Sequence, residues 1–218
     1  MIEFRNLRKE FVLRGQRKLV IDDLSLSVPS KTSVALLGRN GAGKSTLLKM
    51  IAGTMDATSG EILSSGTISW PVGFAGSFHP DLTGSQNAKF VARIYGVDTE
   101  ALAEFVEDFA ELGPSFHMPL RSYSSGMRSR LSFGVSMGIP FDTYLVDEVT
   151  SVGDAAFKKK SGALFHERMR DSGSFVVSHS MPQIRELCDV GIVLEHGRAV
   201  YYDDLEAAIE HHLHNMAA

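Results

Sequence analysis

Apolar and polar positions alternate in two stretches near the N-terminus, Ile2 to Val12 and Lys18 to Val28. Arg14-Gly15-Gln16 between them is turn-prone, so the pattern predicts two strands. Ser33-Val-Ala-Leu-Leu-Gly38 is continuously apolar instead, which predicts a buried parallel strand. A helical stretch runs from Lys44 to Ala52, with Gly53 as its C-terminal cap. Gly60 to Trp70 predicts a further strand region, ended by Pro71.

The period then changes. From Gly84 to Gly113, Phe90, Val91 and Ile94, then Leu102, Phe105, Val106 and Phe109, recur at helical spacing. Pro114 and Pro119 mark a loop, and a serine-glycine turn opens another helix from Met127 to Ile139. Strand-like runs resume at Thr143 to Asp147 and at Ser174 to Ser178. His196-Gly197 is flanked by Val190 to Leu194 and Ala199 to Tyr202, as in a β-hairpin. Asp203 to Met216 reads as a capped helix. Strands with crossover helices, interrupted by a helical stretch, predict an α/β core (1–83 and 141–218) carrying an inserted α-helical subdomain (84–140).

Composition narrows the setting. A chain of 218 residues, 44% hydrophobic and 22% charged, has the balance of a folded globular protein with one sizeable core. A net charge of −4 supplies no overall basic field, so no nucleic-acid partner is expected. Cys188 is the only cysteine, which excludes an internal disulfide. The N-terminus carries charges where a signal peptide needs an apolar core, and no apolar run approaches the ~20 residues that span a bilayer. Any action at a membrane is expected to come through docking to a partner, from the cytoplasmic side.

Gly38-Arg39-Asn40-Gly41-Ala42-Gly43-Lys44-Ser45 fits the phosphate-loop pattern G-x-x-x-x-G-K-[ST] completely, between a buried strand and a helix. Its glycines let backbone N–H groups turn toward phosphate oxygens, and the following helix adds its positive end. Lys44 is spaced to reach the β- and γ-phosphates of ATP, Ser45 to ligate Mg²⁺, and Thr46 to add a phosphate contact. Tyr144-Leu-Val-Asp147-Glu148 is an apolar strand ending in two acids. Asp147 would hold Mg²⁺, and Glu148 would orient or deprotonate the attacking water. His179, just past a strand, could donate to the γ-phosphate; a histidine there without this context is more often structural.

These segments resemble ABC ATPases across essentially the whole chain. Tyr123-Ser124-Ser125-Gly126-Met127 before a helix resembles the family's Leu-Ser-Gly-Gly-Gln signature. The resemblance implies a P-loop NTPase (RecA-like) core with an N-terminal antiparallel β-subdomain. It also implies that Ser124, Ser125 and Gly126 complete the ATP site of the opposite subunit, so that hydrolysis needs a homodimer. By position, Phe11 matches the aromatic that stacks on adenine, and a strand phenylalanine in the core has the same appearance. Ser151-Val-Gly-Asp154 matches the D-loop. Ser125 and Met127 depart from the signature, and Pro71 to Phe78 contains no glutamine where the family's glutamine loop should fall.

A narrower resemblance rests on Ser69-Trp-Pro-Val-Gly-Phe74, Phe78-His-Pro-Asp-Leu-Thr-Gly84, the altered signature, and Asp147-Glu-Val-Thr-Ser-Val-Gly-Asp154-Ala-Ala-Phe-Lys158. Together these are similar to the ATPases of capsular-polysaccharide exporters. That implies a subunit at the cytoplasmic face of the inner membrane, docked to a membrane-spanning permease and through it to the capsule export assembly. Trp70, Phe74 and Phe78 lie in the segment expected to meet that permease, or pack as ordinary core aromatics. Export of another glycan (teichoic acid or O-antigen), a soluble ABC ATPase outside transport, and a non-hydrolysing regulatory domain remain the alternatives. His211, His212 and His214 in the tail are expected on a solvated surface, and Lys158-Lys-Lys160 on a solvated helix face.

Overall fold

The computed structural model describes residues 1–73, 76, 78–147 and 155–217. Glu148, Phe74 and the 151–154 segment therefore lie outside the described residues. The chain divides into two compact units. The first comprises Met1–Pro71, the described part of Phe141–Glu148, and Met169–Ala218.

In this first unit, β1 (Ile2–Leu13) and β2 (Gln16–Val28) form the antiparallel pair expected from their alternation. β4 (Ser59–Ser64) pairs antiparallel with the other edge of β1, completing a three-stranded sheet. The second sheet contains β3 (Ser33–Leu37), β5 (Ile68–Pro71), β6 (Thr143–Asp147), β7 (Gly173–Val177), β8 (Val190–Glu195) and β9 (Arg198–Tyr202). Its order is β5-β6-β7-β3-β8-β9, parallel throughout except for the β8–β9 hairpin. β3 and β7 are buried at every position, as strands covered on both faces must be.

The stretch Gly60 to Trp70 was expected as one strand region and is two strands in different sheets. After β4 the chain turns at Ser65-Gly66. Asp142 then takes over, its carboxylate accepting from the Thr67 N–H at 2.8 Å and the Thr67 hydroxyl at 2.9 Å. That transfer starts β5 alongside β6. The carboxylate is held below its usual pKa by these Thr67 hydrogen bonds.

Both sheets and helix α1 (Lys44–Ile51) share a core that includes Phe4, Ile21, Leu36, Leu47, Leu145 and Phe175. Phe4 and Phe175 meet edge-on with ring centroids 6.2 Å apart, joining the antiparallel sheet to the parallel one. The hairpin turn between β8 and β9 places both His196 and Gly197 at positive φ, the geometry its residues predict. α6 (Met181–Leu187) and α7 (Leu205–Ala217) complete this unit. Cys188, just past α6, is buried, which pushes its thiol up to about 12. It therefore stays protonated and unreactive at neutral pH.

The second unit takes in Val72–Pro140 and the described residues of Val149–Arg168, a wider span than the helical insert drawn from the sequence. It contains α2 (Gly84–Tyr95), α3 (Thr99–Ala110), α4 (Ser125–Gly138) and most of α5 (Ala155–Asp171). α5 joins it through Phe157, which packs edge-on against Phe109 at 5.3 Å and lies under the Arg130 guanidinium at 4.5 Å. Lys160, from the lysine run, pairs with Glu111 at 2.6 Å, while Lys158 and Lys159 are exposed. Thr83 and Gln86 form a reciprocal capping box at the start of α2. Asn87 is wholly buried, accepting from the His79 N–H and donating to the carbonyls of His79, Leu82 and Thr83. One side chain thus organises the approach to the helix. Phe90 and Ile94, expected on the apolar face of α2, are 45% and 59% exposed, whereas Val91, Leu102, Val106 and Phe109 are buried.

Phe175→Ala should lower the unfolding free energy by about 3–5 kcal/mol, since it empties a site at the junction of two sheets. Urea unfolding checks this; a loss below about 1 kcal/mol would show that the sheets do not depend on that contact.

Candidate functional site

β6, β7 and β3 lie side by side and parallel, so their C-terminal ends share one edge of the first unit. Crevices at the carboxyl ends of such strands are where α/β sheets take ligands. Here Asp147 ends β6, His179 follows β7, and the Gly38–Ser45 loop follows β3 and opens α1.

Two glycines shape that loop. Gly38 has φ 148°, and a Cβ there would press into the Leu194 carbonyl oxygen of β8. Gly43, at the N-terminus of α1, has φ 112°, and a Cβ would lie 2.5 Å from Val20 Cγ1. Only glycine suits both the dihedrals and the space. With no side chain capping α1, its first N–H groups face the loop, the arrangement that attracts an anion. Lys44 folds back over the loop, its Nζ donating to the carbonyls of Gly38 at 2.7 Å and Arg39 at 3.1 Å. The ammonium is thereby held at the mouth of the loop.

A cleft of about 370 Å³ opens beside it. Asn40, Gly41, Gly43, Lys44, Ser45 and Thr46 form one wall. Phe11 and His179, assigned from sequence as possible nucleotide contacts, line the same cleft. Lys18, Val20 and Val177 also line it and were not anticipated. The signal for Lys18 lies in the hairpin register, which sets it directly opposite Phe11. Arg39 and Ala42 face a neighbouring cleft of about 340 Å³, shared with Leu194, Glu195 and His196. Asp147 is half-buried at the end of β6, in register with Val177 of β7, but is not part of the 370 Å³ cleft lining.

Ser124, Ser125 and Gly126 belong to the second unit and are exposed. The Ser124 hydroxyl caps α4, accepting from the Met127 N–H at 3.2 Å. Tyr123 before it is buried, with its hydroxyl donating to the Ser115 carbonyl at 2.7 Å, so the turn is pinned from below. Trp70 is half-buried and packs edge-on against Phe141 at 5.5 Å; Phe78 is half-buried.

The tail histidines correct the expectation of a solvated surface. His214 is exposed, but His211 and His212 are half-buried. His211 Nδ1 lies 2.8 Å from the Tyr202 hydroxyl, and His212 Nδ1 is sealed from solvent. The amphipathic packing of α7 turns both rings inward, which the adjacency of the histidines does not reveal.

The profile of the ABC transporter family matches residues 21–151. The chain is 52% identical over 213 residues to the polysialic acid transport ATP-binding protein KpsT of Escherichia coli, covering 96% of this chain and 95% of the relative. It is 40% identical over 212 residues to the capsule polysaccharide export ATP-binding protein CtrD of Neisseria meningitidis serogroup B, covering 97% and 98%. Among solved structures, a dimeric ATP-binding cassette in a post-hydrolysis state bound to ADP and Pi superposes with a TM-score of 0.76 at 19% identity, covering 94% of this chain and 99% of that one.

Gly43→Ala should weaken nucleotide binding by about tenfold, because the added methyl group meets Val20 and the left-handed dihedral costs roughly 1–2 kcal/mol. Titration with a fluorescent nucleotide, alongside thermal unfolding to confirm the fold, checks this. Unchanged affinity would mean that the loop conformation is not what binds the nucleotide.

Proposed function

This chain belongs to the ABC transporter family as its ATP-binding cassette, and we propose that it hydrolyses ATP, as one half of a homodimer, to drive capsular polysaccharide across the inner membrane. The observation that carries the ATPase reading is the meeting, at one sheet edge, of the Gly38–Thr46 loop, His179 and Asp147. The capsular assignment rests on the names and near full-length coverage of the relatives.

Each residue has a role in this reading. Phe11 stacks against adenine. Backbone N–H groups of Gly38 to Gly43, from Arg39, Asn40, Gly41 and Ala42 between them, surround the phosphates, and Thr46 adds a contact. Lys44 carries the positive charge to the β- and γ-phosphates. A hydroxyl and a carboxylate are hard oxygen donors suited to Mg²⁺, so Ser45 and Asp147 would hold it, directly or through water. The ion when bound supplies charge neutralisation for the departing phosphate. Glu148 orients or deprotonates the attacking water, and His179 donates to the γ-phosphate.

Ser124, Ser125 and Gly126 complete the site of the partner subunit. Their exposure, and the anion affinity of the N-terminus of α4, support that assignment. No helix among the described residues is long and apolar enough to cross a membrane. In this reading, which the names of the relatives support, the subunit works at the cytoplasmic face, attached through a membrane-spanning permease that conducts the glycan. ATP closes the two copies over two nucleotides, and hydrolysis lets them reopen.

Glu148→Gln should reduce turnover by about 10²–10⁴-fold while ATP still drives dimerisation, since the binding residues are untouched. Phosphate release and size-exclusion chromatography with ATP measure the two separately; normal turnover would refute the assigned base. In the native host, deletion should leave capsule polymer in the cytoplasm when the glycans are localised. Normal capsule at the surface would overturn the export assignment without touching the ATPase one.

A further inference from the structure

The 370 Å³ cleft has a second lysine on its wall. Lys18 lines it from β2, together with Lys44 and His179, and no acidic side chain lines it among the described residues. The hairpin register fixes where along the cleft Lys18 stands. It lies directly opposite Phe11, and opposed residues of an antiparallel pair project from the same face of their sheet. Two residues further along β2, on the other side of Leu19, Val20 lines the same cleft and packs against the phosphate loop at Gly43. That step along a strand is about 7 Å. Lys18 therefore stands between the aromatic ring at one end of the cleft and the loop at the other.

The other cations of the hairpin near this point are engaged. Lys9 donates to the Asp56 carbonyl at 2.7 Å, and its ammonium lies 5.0 Å from the centroid of the Phe11 ring. Arg17 pairs with Glu10 at 3.0 Å. Lys18 is exposed and makes no hydrogen bond or ion pair among the described residues. Its stem also borders the neighbouring 340 Å³ cleft, so it forms part of the ridge between the two.

We propose that Lys18 is a further binding residue of the ATP site, its ammonium pairing with the inner, α-phosphate of the nucleotide. This rests on the reading in which Phe11 meets adenine and the Gly38–Thr46 loop holds the phosphates. Lys44 then serves the β- and γ-phosphates, and the stretch of ligand between base and loop is left to Lys18. A lysine suits that place because it is a point charge on a flexible stem, which follows a phosphate without demanding a fixed fork geometry. The two lysines approach from different sheets, Lys18 from the antiparallel hairpin and Lys44 from the helix after β3. Together they spread positive charge along the polyphosphate instead of concentrating it at one end. The α-phosphate is common to ATP and ADP, so the Lys18 contact strengthens both alike. It acts in binding and takes no part in distinguishing the nucleotide before hydrolysis from the one after.

The test is isothermal titration of the full chain with ATP and with ADP, without Mg²⁺ so that neither is consumed, at about 50 mM and about 500 mM salt. Lys18→Gln should bind both nucleotides more weakly by a similar factor, about three- to tenfold at the lower salt, as fits an ion pair that is partly open to water. The difference from the wild type should shrink at the higher salt, where charges are screened. Lys18→Arg, which keeps the charge, should stay within about twofold of the wild type. Thermal unfolding without nucleotide should be the same for all three, since the side chain is exposed. Wild-type affinity of Lys18→Gln for both nucleotides at the lower salt would overturn the proposal. So would a loss confined to one nucleotide, or an equal loss in Lys18→Arg. Lys44→Ala separates the two levels. If it binds ATP normally, the phosphate-loop reading itself fails; if it loses binding while Lys18→Gln does not, only the role of Lys18 fails.

Discussion

The loop that follows β3 depends on two close approaches, Gly38 under the Leu194 carbonyl and Gly43 against Val20. Without them the chain cannot leave the central strand, curl, and enter α1 with its N–H groups turned inward. Leu194 belongs to β8, and Val20 to β2 of the other sheet. The loop is therefore gripped from both sheets at once, and its conformation follows from how they pack. The shared core of Phe4, Ile21, Leu36, Leu47 and Phe175 is what keeps that grip in place.

This arrangement explains why the cleft needs little machinery of its own. The loop is pre-folded, so ordering it need not be offset by nucleotide binding. The Lys44 ammonium already sits on the carbonyls of Gly38 and Arg39. Phe11 and Lys18 arrive together because the β1–β2 hairpin pairs them in register. In the second unit, the same economy appears in Asn87, a single buried amide that satisfies three carbonyls and one N–H before α2. Ser124 has two compatible uses there, as the cap of α4 and as an exposed hydroxyl at a helix N-terminus.

Helix α7 extends the reach of the first unit over the loop. Its anchors at Gly191 and Arg39 are contacts between segments far apart in the chain. Through them, the end of the protein becomes a neighbour of a motif near its beginning. There the half-buried His212 has its Nδ1 shut off from solvent, with no hydrogen-bond partner for that atom among the described residues.

Much of the nucleotide site was legible because its chemistry is local. Glycines at 38, 41 and 43, then Lys44 and Ser45, constrain a contiguous backbone, and the apolar run before them announces a buried strand. The places of Asp147 at the end of β6 and of His179 after β7 were legible for a similar reason, since a strand end fixes them locally. Other features depend on contacts between distant segments. Gly60 to Trp70 is divided between two sheets because Asp142 captures Thr67, 75 residues away in sequence. Phe90 and Ile94 follow helical periodicity yet face outward, because periodicity marks a face without saying what covers it. Lys18 and Val20 enter the cleft through strand pairing, and His212 turns inward through the packing of Ala208 on Gly191. Residue order alone establishes the phosphate loop and its neighbouring strands, since each is encoded within a few consecutive positions. Which other side chains reach that loop depends on packing between segments brought together only when the chain folds.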